Sequence, residues 1–152
     1  MISNKAKYAF RALLAVAAQP RDEPITSADI ARRHAIPHKF LEQILLDLKK
    51  AGILDSRRGK SGGYVMLRPA DTVSFAEILR LIDGPLAPLP CLSRYNYRPC
   101  DDCETESTCE IRREFARAHE ASRQVLETRT IADALAGPKV EVASAAESRA
   151  AR

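Results

Sequence analysis

The chain has 152 residues, of which 45% are hydrophobic and 29% are charged, and its formal net charge is +4. This length allows one domain with a proper core, or a small domain with an oligomerising helix, and excludes two large independent domains. The longest apolar run is far shorter than a bilayer span, and basic residues interrupt the apolar stretch near the start. We therefore expect a cytoplasmic protein without a membrane span or signal peptide.

The charge is unevenly distributed along the chain. Residues 1–70 hold 13 lysines and arginines against 6 acidic residues, whereas residues 71–152 hold 11 against 14. A basic first half joined to a slightly acidic second half is typical of a nucleic-acid-binding domain attached to a module that makes no such contact. A basic face that is merely solvated is the alternative.

Apolar periodicity and capping residues predict mainly helical structure with one hairpin. The predicted elements of the first half are helices over 4–18, 27–34 and 37–51, strands over 53–57 and 64–67, and a helix that opens at 74 and stops at 84. We expect Pro37 to occupy the first position of the third helix, where its missing N–H costs nothing. The expected buried stripe of that helix is Phe40, Leu41, Ile44, Leu45 and Leu48. This order of elements is that of a winged helix-turn-helix.

The second half predicts a dimerisation helix. From about Cys109 to Arg129, apolar or small residues recur at alternating steps of four and three, as in a helix that packs lengthwise on a partner; they are Ile111, Phe115, Ala118, Ser122 and Val125. A short helix over 131–136 and a disordered tail should follow. The predicted division is a DNA-binding domain over 1–84, a cysteine loop over 85–109, the dimerisation helix and short helix over 110–136, and the tail over 137–152.

The third helix and the hairpin carry the residues suited to DNA. A recognition helix places polar side chains at base edges in the major groove, while a basic, glycine-rich hairpin follows the backbone or the minor groove. The side chains that could reach bases are His38, Lys39, Glu42 and Gln43. Phosphate contacts would come from Arg57, Arg58 and Lys60, and the turn glycines Gly59, Gly62 and Gly63 allow close approach. A winged helix that serves protein contact alone is the alternative.

The cysteines predict a cofactor or a redox switch. All four lie within 19 residues, in the pattern Cys91-x8-Cys100-x2-Cys103-x5-Cys109. Clustered thiolates on a loop can hold an iron–sulfur cluster. Zinc is a second possibility, although zinc ribbons usually bring two Cys-x2-Cys knuckles. A thiol–disulfide switch is the third, and here neighbouring negative charge should raise the thiol pKa values and slow thiolate chemistry; the acidic neighbours are Asp101, Asp102, Glu104 and Glu106.

No enzyme motif competes with these predictions. The sequence has no GxSxG motif and no phosphate loop, and its histidines, His34, His38 and His119, have no nucleophile at a diagnostic spacing. We therefore expect a protein that is not an enzyme.

Over about residues 1–136 the sequence resembles the Rrf-type winged helix-turn-helix transcription regulators, the IscR, NsrR and RirA family. The matching segments are Lys7-Tyr8-Ala9, Phe40-Leu41-Glu42-Gln43-Ile44-Leu45, Leu48-Lys49-Lys50-Ala51-Gly52 and Arg58-Gly59-Lys60-Ser61-Gly62-Gly63-Tyr64. The resemblance implies that Pro37, Lys39 and Phe40 contact DNA, that Glu42 tunes sequence preference, and that Arg58 enters the minor groove. Pro37 replaces a hydroxyl residue that is common there, so an operator sequence cannot be transferred. The candidate DNA-binding residues are Pro37, His38, Lys39, Phe40, Glu42, Gln43, Arg57, Arg58, Lys60, Ser61 and Gly62.

The resemblance also bears on the cysteines. Similar regulators carry three loop cysteines, to which Cys91, Cys103 and Cys109 correspond. Cys100 is additional and is a candidate fourth ligand, because Arg112 stands where some members have a histidine. The predicted metal ligands are thus Cys91, Cys100, Cys103 and Cys109, for an iron–sulfur cluster of the 2Fe–2S rather than the 4Fe–4S type, with zinc as the alternative.

The combined prediction is a homodimeric repressor that binds a palindromic operator in double-stranded DNA. It would sense cluster supply, iron, redox state or nitric oxide through the cysteine loop. The alternatives are a zinc-stabilised interaction module and a thiol–disulfide switch regulator.

Overall fold

The computed structural model describes residues 2–20, 23–59, 61–101, 103 and 105–137. Over these residues the chain forms six α-helices and one antiparallel hairpin, in the predicted order. The elements are α1 (Asn4–Ala17), α2 (Ser27–His34), α3 (His38–Lys50), β1 (Leu54–Arg57), β2 (Gly63–Met66), α4 (Phe75–Asp83), α5 (Glu110–Thr128) and α6 (Ile131–Ala136). Single 3₁₀ turns lie at Ala70–Thr72 and Pro90–Leu92. The tail over 138–152, predicted to be disordered, lies outside the described residues.

Four helices begin at a hydroxyl residue that accepts a hydrogen bond from a backbone N–H of the first turn, which satisfies a donor the helix leaves unpaired. The four caps are Ser3, Thr26, Ser74 and Thr130. The last three were predicted from spacing. At the start of α6, Thr130 and Asp133 bond each other reciprocally as a capping box, which explains why a new helix starts directly after α5.

The core lies between α1, α3, α4 and the hairpin. Its fully buried side chains are large and apolar and include Leu13, Ile30, Leu41, Ile44, Leu45, Leu48, Ile53, Leu54, Val73, Ile78 and Ile131. Four of the five residues predicted for the buried stripe of α3 are among them. Phe40 is the exception: it is 39% exposed and packs edge-on against Tyr8, with ring centroids 5.8 Å apart. It lies at the margin of the stripe, where only one side of the ring meets α1.

The hairpin, which we call the wing, pairs β1 with β2 from Leu54 opposite Met66 to Arg57 opposite Gly63. A third segment, before α2, bridges to it: the Ile25 N–H donates to the Tyr64 carbonyl at 3.1 Å, and the Tyr64 N–H donates to the Ile25 carbonyl at 2.8 Å. A Cβ at Gly63 would lie 2.6 Å from the Ile25 carbonyl oxygen. The missing side chain therefore lets the wing lie directly against the segment that enters α2.

α5 packs on α4, and α6 returns the chain to the core. The Ile131 N–H donates to the Val73 carbonyl at 3.0 Å, and the Phe75 N–H donates to the Arg129 carbonyl at 2.9 Å. Ile131 is fully buried against the core that includes α1. In the part of the chain described, no helix is long and apolar enough to cross a membrane.

Candidate nucleic-acid interface and cysteine loop

A tight turn sets α3 against α2. Ala35 adopts the left-handed conformation with φ 51°, and the Ile36 N–H donates to the Ala31 carbonyl at 3.0 Å. Ile36 is buried below the turn. This geometry, helix, left-handed turn and second helix, exposes the N-terminal half of α3.

The exposed side of α3 carries most of the predicted base-reading residues. Lys39, Glu42 and Gln43 are all exposed. Pro37 is also exposed but is the residue before the helix, with φ −57° and ψ 123°, rather than its first helical position. The prediction was wrong by one residue, because ψ at Pro37 is extended and the helical dihedrals begin at His38.

His38 connects α2 with the recognition face. Its Nε2 lies 3.1 Å from the Ser27 hydroxyl, and its Nδ1 lies 3.7 Å from a Glu42 carboxylate oxygen. Ser27 belongs to the first turn of α2. The imidazole thus lies between the first turn of α2 and Glu42 of α3.

The wing presents its cationic side chains next to α3. Arg57, Arg58 and Ser61 are exposed, and Lys49 of α3 donates a hydrogen bond to the Ser56 hydroxyl of β1. A Cβ at Gly62 would lie 2.5 Å from the Arg57 carbonyl oxygen, so the turn closes only because this residue has no side chain. Lys60 lies outside the described residues. Of the other predicted sites, Lys39, Glu42 and Gln43 are exposed on α3, Arg57, Arg58 and Ser61 are exposed on the wing, and Gly62 lies in the turn of the wing.

A guanidinium group anchors the far end of the wing. Arg68 makes two hydrogen bonds to the Glu77 carboxylate, at 2.6 and 3.1 Å, and a third to the Thr72 carbonyl at 2.7 Å. The hydrogen bond to Glu77 raises the pKa of Arg68. Glu77 lies in the first turn of α4, so the wing is tied to the helix that carries α5. Sequence periodicity did not reveal this contact, since it joins two separate elements.

The cysteine loop places Cys103 near two other thiols. Interaction with the Cys100 thiol first, and with the Cys109 thiol second, raises the pKa of Cys103 to about 12. All four cysteines are free, and Cys91 is buried in the turn Pro90–Leu92. Over 2–20, 23–59, 61–101, 103 and 105–137, no three His, Cys, Asp or Glu residues converge as a metal site. The predicted set of four ligands is therefore not assembled in this conformation.

Cys109 is the thiol most suited to the anionic form. It caps α5, where its sulfur accepts a hydrogen bond from the Arg112 N–H at 3.4 Å. That bond, followed by one from the Cys103 thiol, lowers the pKa of Cys109. The expectation that acidic neighbours raise the thiol pKa values is wrong here, because backbone N–H groups at the start of a helix favour a negative charge. Asp102 and Glu104 lie outside the described residues.

A polar cluster borders the thiols. Tyr97 donates a hydrogen bond to Glu106, which is the main reason why the pKa of Tyr97 is raised; the nearby Cys91 thiol contributes less. The Arg112 Nε lies 3.4 Å from the other Glu106 oxygen and is buried without a hydrogen bond. A guanidinium stays protonated and cannot bind a metal ion. Arg112 therefore cannot replace the histidine ligand of similar regulators.

The loop also contacts the domain that carries the wing. The Arg80 guanidinium of α4 lies 5.6 Å from the centre of the Tyr95 ring and 3.2 Å from the Glu127 carboxylate of α5. Arg123 joins Glu127 to Glu120 along α5, at 2.5 and 2.6 Å. A continuous set of contacts thus links the cysteine loop, α4 and α5.

α5 has two different faces. The side towards α4 is half-buried and carries Ala116, His119, Arg123 and Leu126. The predicted seam, which we call the outer seam, faces away from the domain: Ile111 is 63% exposed, Phe115 47% and Val125 59%, and Ala118 and Ser122 are exposed as well. His119 lies beside this seam, on the inner side. The outer seam is largely apolar, and within the part of the chain that the structure describes its residues remain exposed.

Comparison with known proteins decides the family. The model of the Rrf2 family, described as an iron-dependent transcriptional regulator, matches residues 2–137. The chain belongs to the Rrf2 family of transcriptional regulators. An rrf2-like HTH-type transcriptional regulator of Rhodobacter capsulatus is 50% identical over 139 residues, which cover 90% of this chain and 93% of that protein.

Other similar proteins are also regulators. The HTH-type transcriptional regulator IscR of Xenorhabdus nematophila is 32% identical over 106 residues, 70% of this chain and 65% of that protein. The solved structure of CymR, the global cysteine regulator of B. subtilis, superposes with a TM-score of 0.74 at 26% identity over 90% of this chain and 96% of that one. The resemblance and the winged helix-turn-helix fold class are thus confirmed. The chain is an HTH-type transcriptional regulator and not an enzyme.

Proposed function

We propose that this Rrf2-family regulator binds a palindromic operator as a homodimer and represses transcription, with α3 in the major groove and the wing along the adjacent minor groove. The observation that carries this proposal is that Lys39, Glu42 and Gln43 of α3 and Arg57 and Arg58 of the wing are all exposed, on two elements that contact each other through Lys49 and Ser56. Polar groups that can pair with base edges lie beside cations that can pair with phosphates.

The outer seam supports the homodimer. Phe115 and its apolar neighbours would contact the same residues of a second copy, since a two-fold interface pairs one patch with itself. Two recognition helices related by this axis would meet two half-sites about one or two helical turns apart. The operator would therefore be a palindrome.

The first prediction concerns the wing. Arg58→Ala should weaken operator binding by about 1–3 kcal/mol, roughly 5- to 150-fold, if the side chain reaches a base edge or a narrow minor groove. The operator is first obtained by selection from a random-sequence duplex pool, and affinities are then measured by fluorescence anisotropy at fixed salt. Arg117→Ala is the matched control, because Arg117 is an exposed arginine of α5 far along the chain from the wing. Equal affinities of Arg58→Ala and wild type would remove the wing from the interface.

We also propose that the cysteine loop holds an iron–sulfur cluster, of the 2Fe–2S rather than the 4Fe–4S type. Its residues fit a thiolate-ligated group, because it carries four free cysteines and because Cys109 caps α5, where its sulfur accepts a hydrogen bond from the Arg112 N–H. Cys100, Cys103 and Cys109 would bind it together with Cys91, which must move out of its buried turn. When bound, the cluster would supply one-electron redox chemistry and sensitivity to iron or nitric oxide.

The loop residues would pass the state of the site to the DNA-binding edge. Tyr95 rests on Arg80, and Arg80 pairs with Glu127 on α5. Ordering of the loop around a ligand would therefore fix α4 relative to α5, and with it the spacing of the two recognition helices. A ligand shifts that equilibrium only by its differential affinity for the two arrangements.

The second prediction concerns the ligands. Anaerobically purified wild type should contain iron and acid-labile sulfide and be brown, and Cys→Ser changes at 91, 100, 103 and 109 should each remove both. Ser107→Ala, an exposed change in the same loop, should retain them. Stoichiometric zinc without sulfide would favour the zinc-stabilised alternative. A protein that contains neither iron nor zinc would favour the thiol switch. Both outcomes contradict the cluster and leave the DNA-binding proposal intact.

A further inference from the structure

Asp47 is an acidic residue next to the basic end of α3. It lies on α3 one turn after Gln43 and just before Lys49 and Lys50, on the helix that we place in the major groove. A carboxylate near phosphates repels DNA, so its presence calls for a compensating role. The contacts of Asp47 indicate what that role is.

Both oxygens of the Asp47 carboxylate have partners. Oδ2 accepts a hydrogen bond from the Lys5 ammonium of α1 at 2.8 Å, and Oδ1 accepts one from the Gln43 Nε2 at 3.0 Å. The hydrogen bond from Lys5 is the main cause of the lowered pKa of Asp47, and the one from Gln43 also contributes. Asp47 is therefore ionised at neutral pH, and a carboxylate in that state can only accept hydrogen bonds.

This restriction determines how Gln43 presents its amide. A glutamine amide has one oxygen and one nitrogen end, and a free side chain can turn either of them towards DNA. Next to an ionised carboxylate, only the nitrogen end can face Asp47. Oε1 and the second N–H of Gln43 then remain available, in a fixed order, as one acceptor and one donor. An acceptor–donor pair of this kind matches the N6 and N7 atoms of adenine in the major groove.

We propose that Asp47 is a positioning residue that fixes the orientation of the Gln43 amide and thereby sets the base preference of the recognition helix. This inference rests on the proposed DNA-binding role of α3. Lys5 compensates the charge of Asp47 and ties Asp47 to α1. A residue of α1 therefore supports base recognition by α3. The ligand class is a duplex with adenine at the base pair that faces Gln43.

The test compares base preference rather than affinity alone. Four proteins are compared: wild type, Asp47→Asn, Gln43→Ala and the double variant. Each protein is used to select its preferred sequence from a random-sequence duplex pool. Kd values are then measured for the wild-type consensus and for every single-base substitution of it. Wild type should discriminate about tenfold or more at one base pair of each half-site, the size of a typical mismatch effect. Asp47→Asn should reduce this to below about threefold at that base pair only, because an asparagine can face either end of the amide.

Two controls separate positioning from charge and from stability. Asp55→Asn removes one exposed negative charge from β1 and should raise affinity for all duplexes without changing the consensus. Lys5→Met breaks the ion pair but keeps the bond between Asp47 and Gln43, and it should lower affinity uniformly. Thermal melts of each variant verify that it is folded.

Each result has a definite meaning. Loss of discrimination at one base pair in Asp47→Asn, with no further loss when Gln43→Ala is added, supports the proposal. A consensus and discrimination equal to those of wild type overturn it, as does an effect of Asp47→Asn that persists unchanged in the Gln43→Ala background. If wild type itself selects no consensus, the DNA-binding proposal fails and this inference fails with it.

Discussion

Phe115→Glu is expected to convert the protein into a monomer and to lower its affinity for a palindromic operator by about 100-fold or more. Phe115 is the largest side chain of the outer seam, between Ile111 and Ala118, and is 47% exposed in the single chain. A carboxylate at this position would be buried without a partner at a two-fold interface, and its two copies would repel each other. Loss of the second half-site contact removes an avidity gain that is typically 10²- to 10⁴-fold.

Sedimentation velocity and operator titration measure these two effects. Gln124→Glu is the matched control, because it adds the same charge to an exposed position of α5 on the opposite side from the outer seam. This variant should remain a dimer with operator affinity close to that of wild type. A Phe115→Glu dimer of unchanged strength would show that another surface joins the two copies.

Gly63→Ala is expected to destabilise the fold by about 2–4 kcal/mol, since overpacking costs about 1–3 kcal/mol and a displaced backbone hydrogen bond about 1 more. The added Cβ would lie 2.6 Å from the Ile25 carbonyl oxygen and 2.7 Å from its carbon. The wing must therefore move away from Ile25 and lose the bridge with Tyr64. Tm should fall by roughly 2–4 °C per kcal/mol for a chain of this size, and operator affinity should fall because Arg57 and Arg58 are displaced.

Calorimetry and anisotropy titration check this expectation. Gly137→Ala serves as the control, because φ at Gly137 is −67° and the nearest contact of a Cβ there is 3.2 Å from the Asp133 carbonyl oxygen. Its Tm should lie within a few degrees of that of wild type. If the Tm of Gly63→Ala equals that of wild type, the wing is not held in place through Ile25.

The helices and the wing could be predicted because each is indicated by a pattern of residues that are close together in the sequence. Apolar steps of three and four mark the helices, and hydroxyl residues three positions before an acidic residue mark their starts, as at Thr26 and Thr130. The outer seam was predictable for the same reason, since an apolar stripe that is exposed among the described residues still has helical period. The glycine-rich segment between two short apolar runs likewise predicted the wing.

Contacts between distant residues could not be predicted in the same way. Lys5 and Asp47 are 42 positions apart, and Tyr64 meets Ile25 across two helices. The turn at Ala35 carries no glycine although its φ is 51°, so the sequence has no marker for the left-handed residue. Phe40 was wrongly predicted to be buried. Apolar periodicity indicates which side of a helix a residue faces, but it does not indicate how far the neighbouring helix extends over that side.

The cysteine loop was the least predictable part of the site. The spacing of the cysteines gives their positions along the chain. Because the loop is irregular, it has no repeat from which the directions of the cysteine side chains could be predicted. In the structure Cys103 lies next to Cys100 and Cys109, and Cys91 is buried in a separate turn. The pKa of Cys109 is lowered because this residue lies at the start of α5. The sequence predicted the start of this helix to within one residue, but it did not indicate that the thiol there would be more acidic.

The burial of Ile131 bears on the order in which the protein is made. Because α6 completes a core that begins with α1, the winged domain lacks one of its largest buried side chains until the ribosome has synthesised the last described helix. Residues 1–84 therefore do not contain the whole core that supports the recognition helix, and a fragment that ends before Ile131 would leave part of that core unfilled.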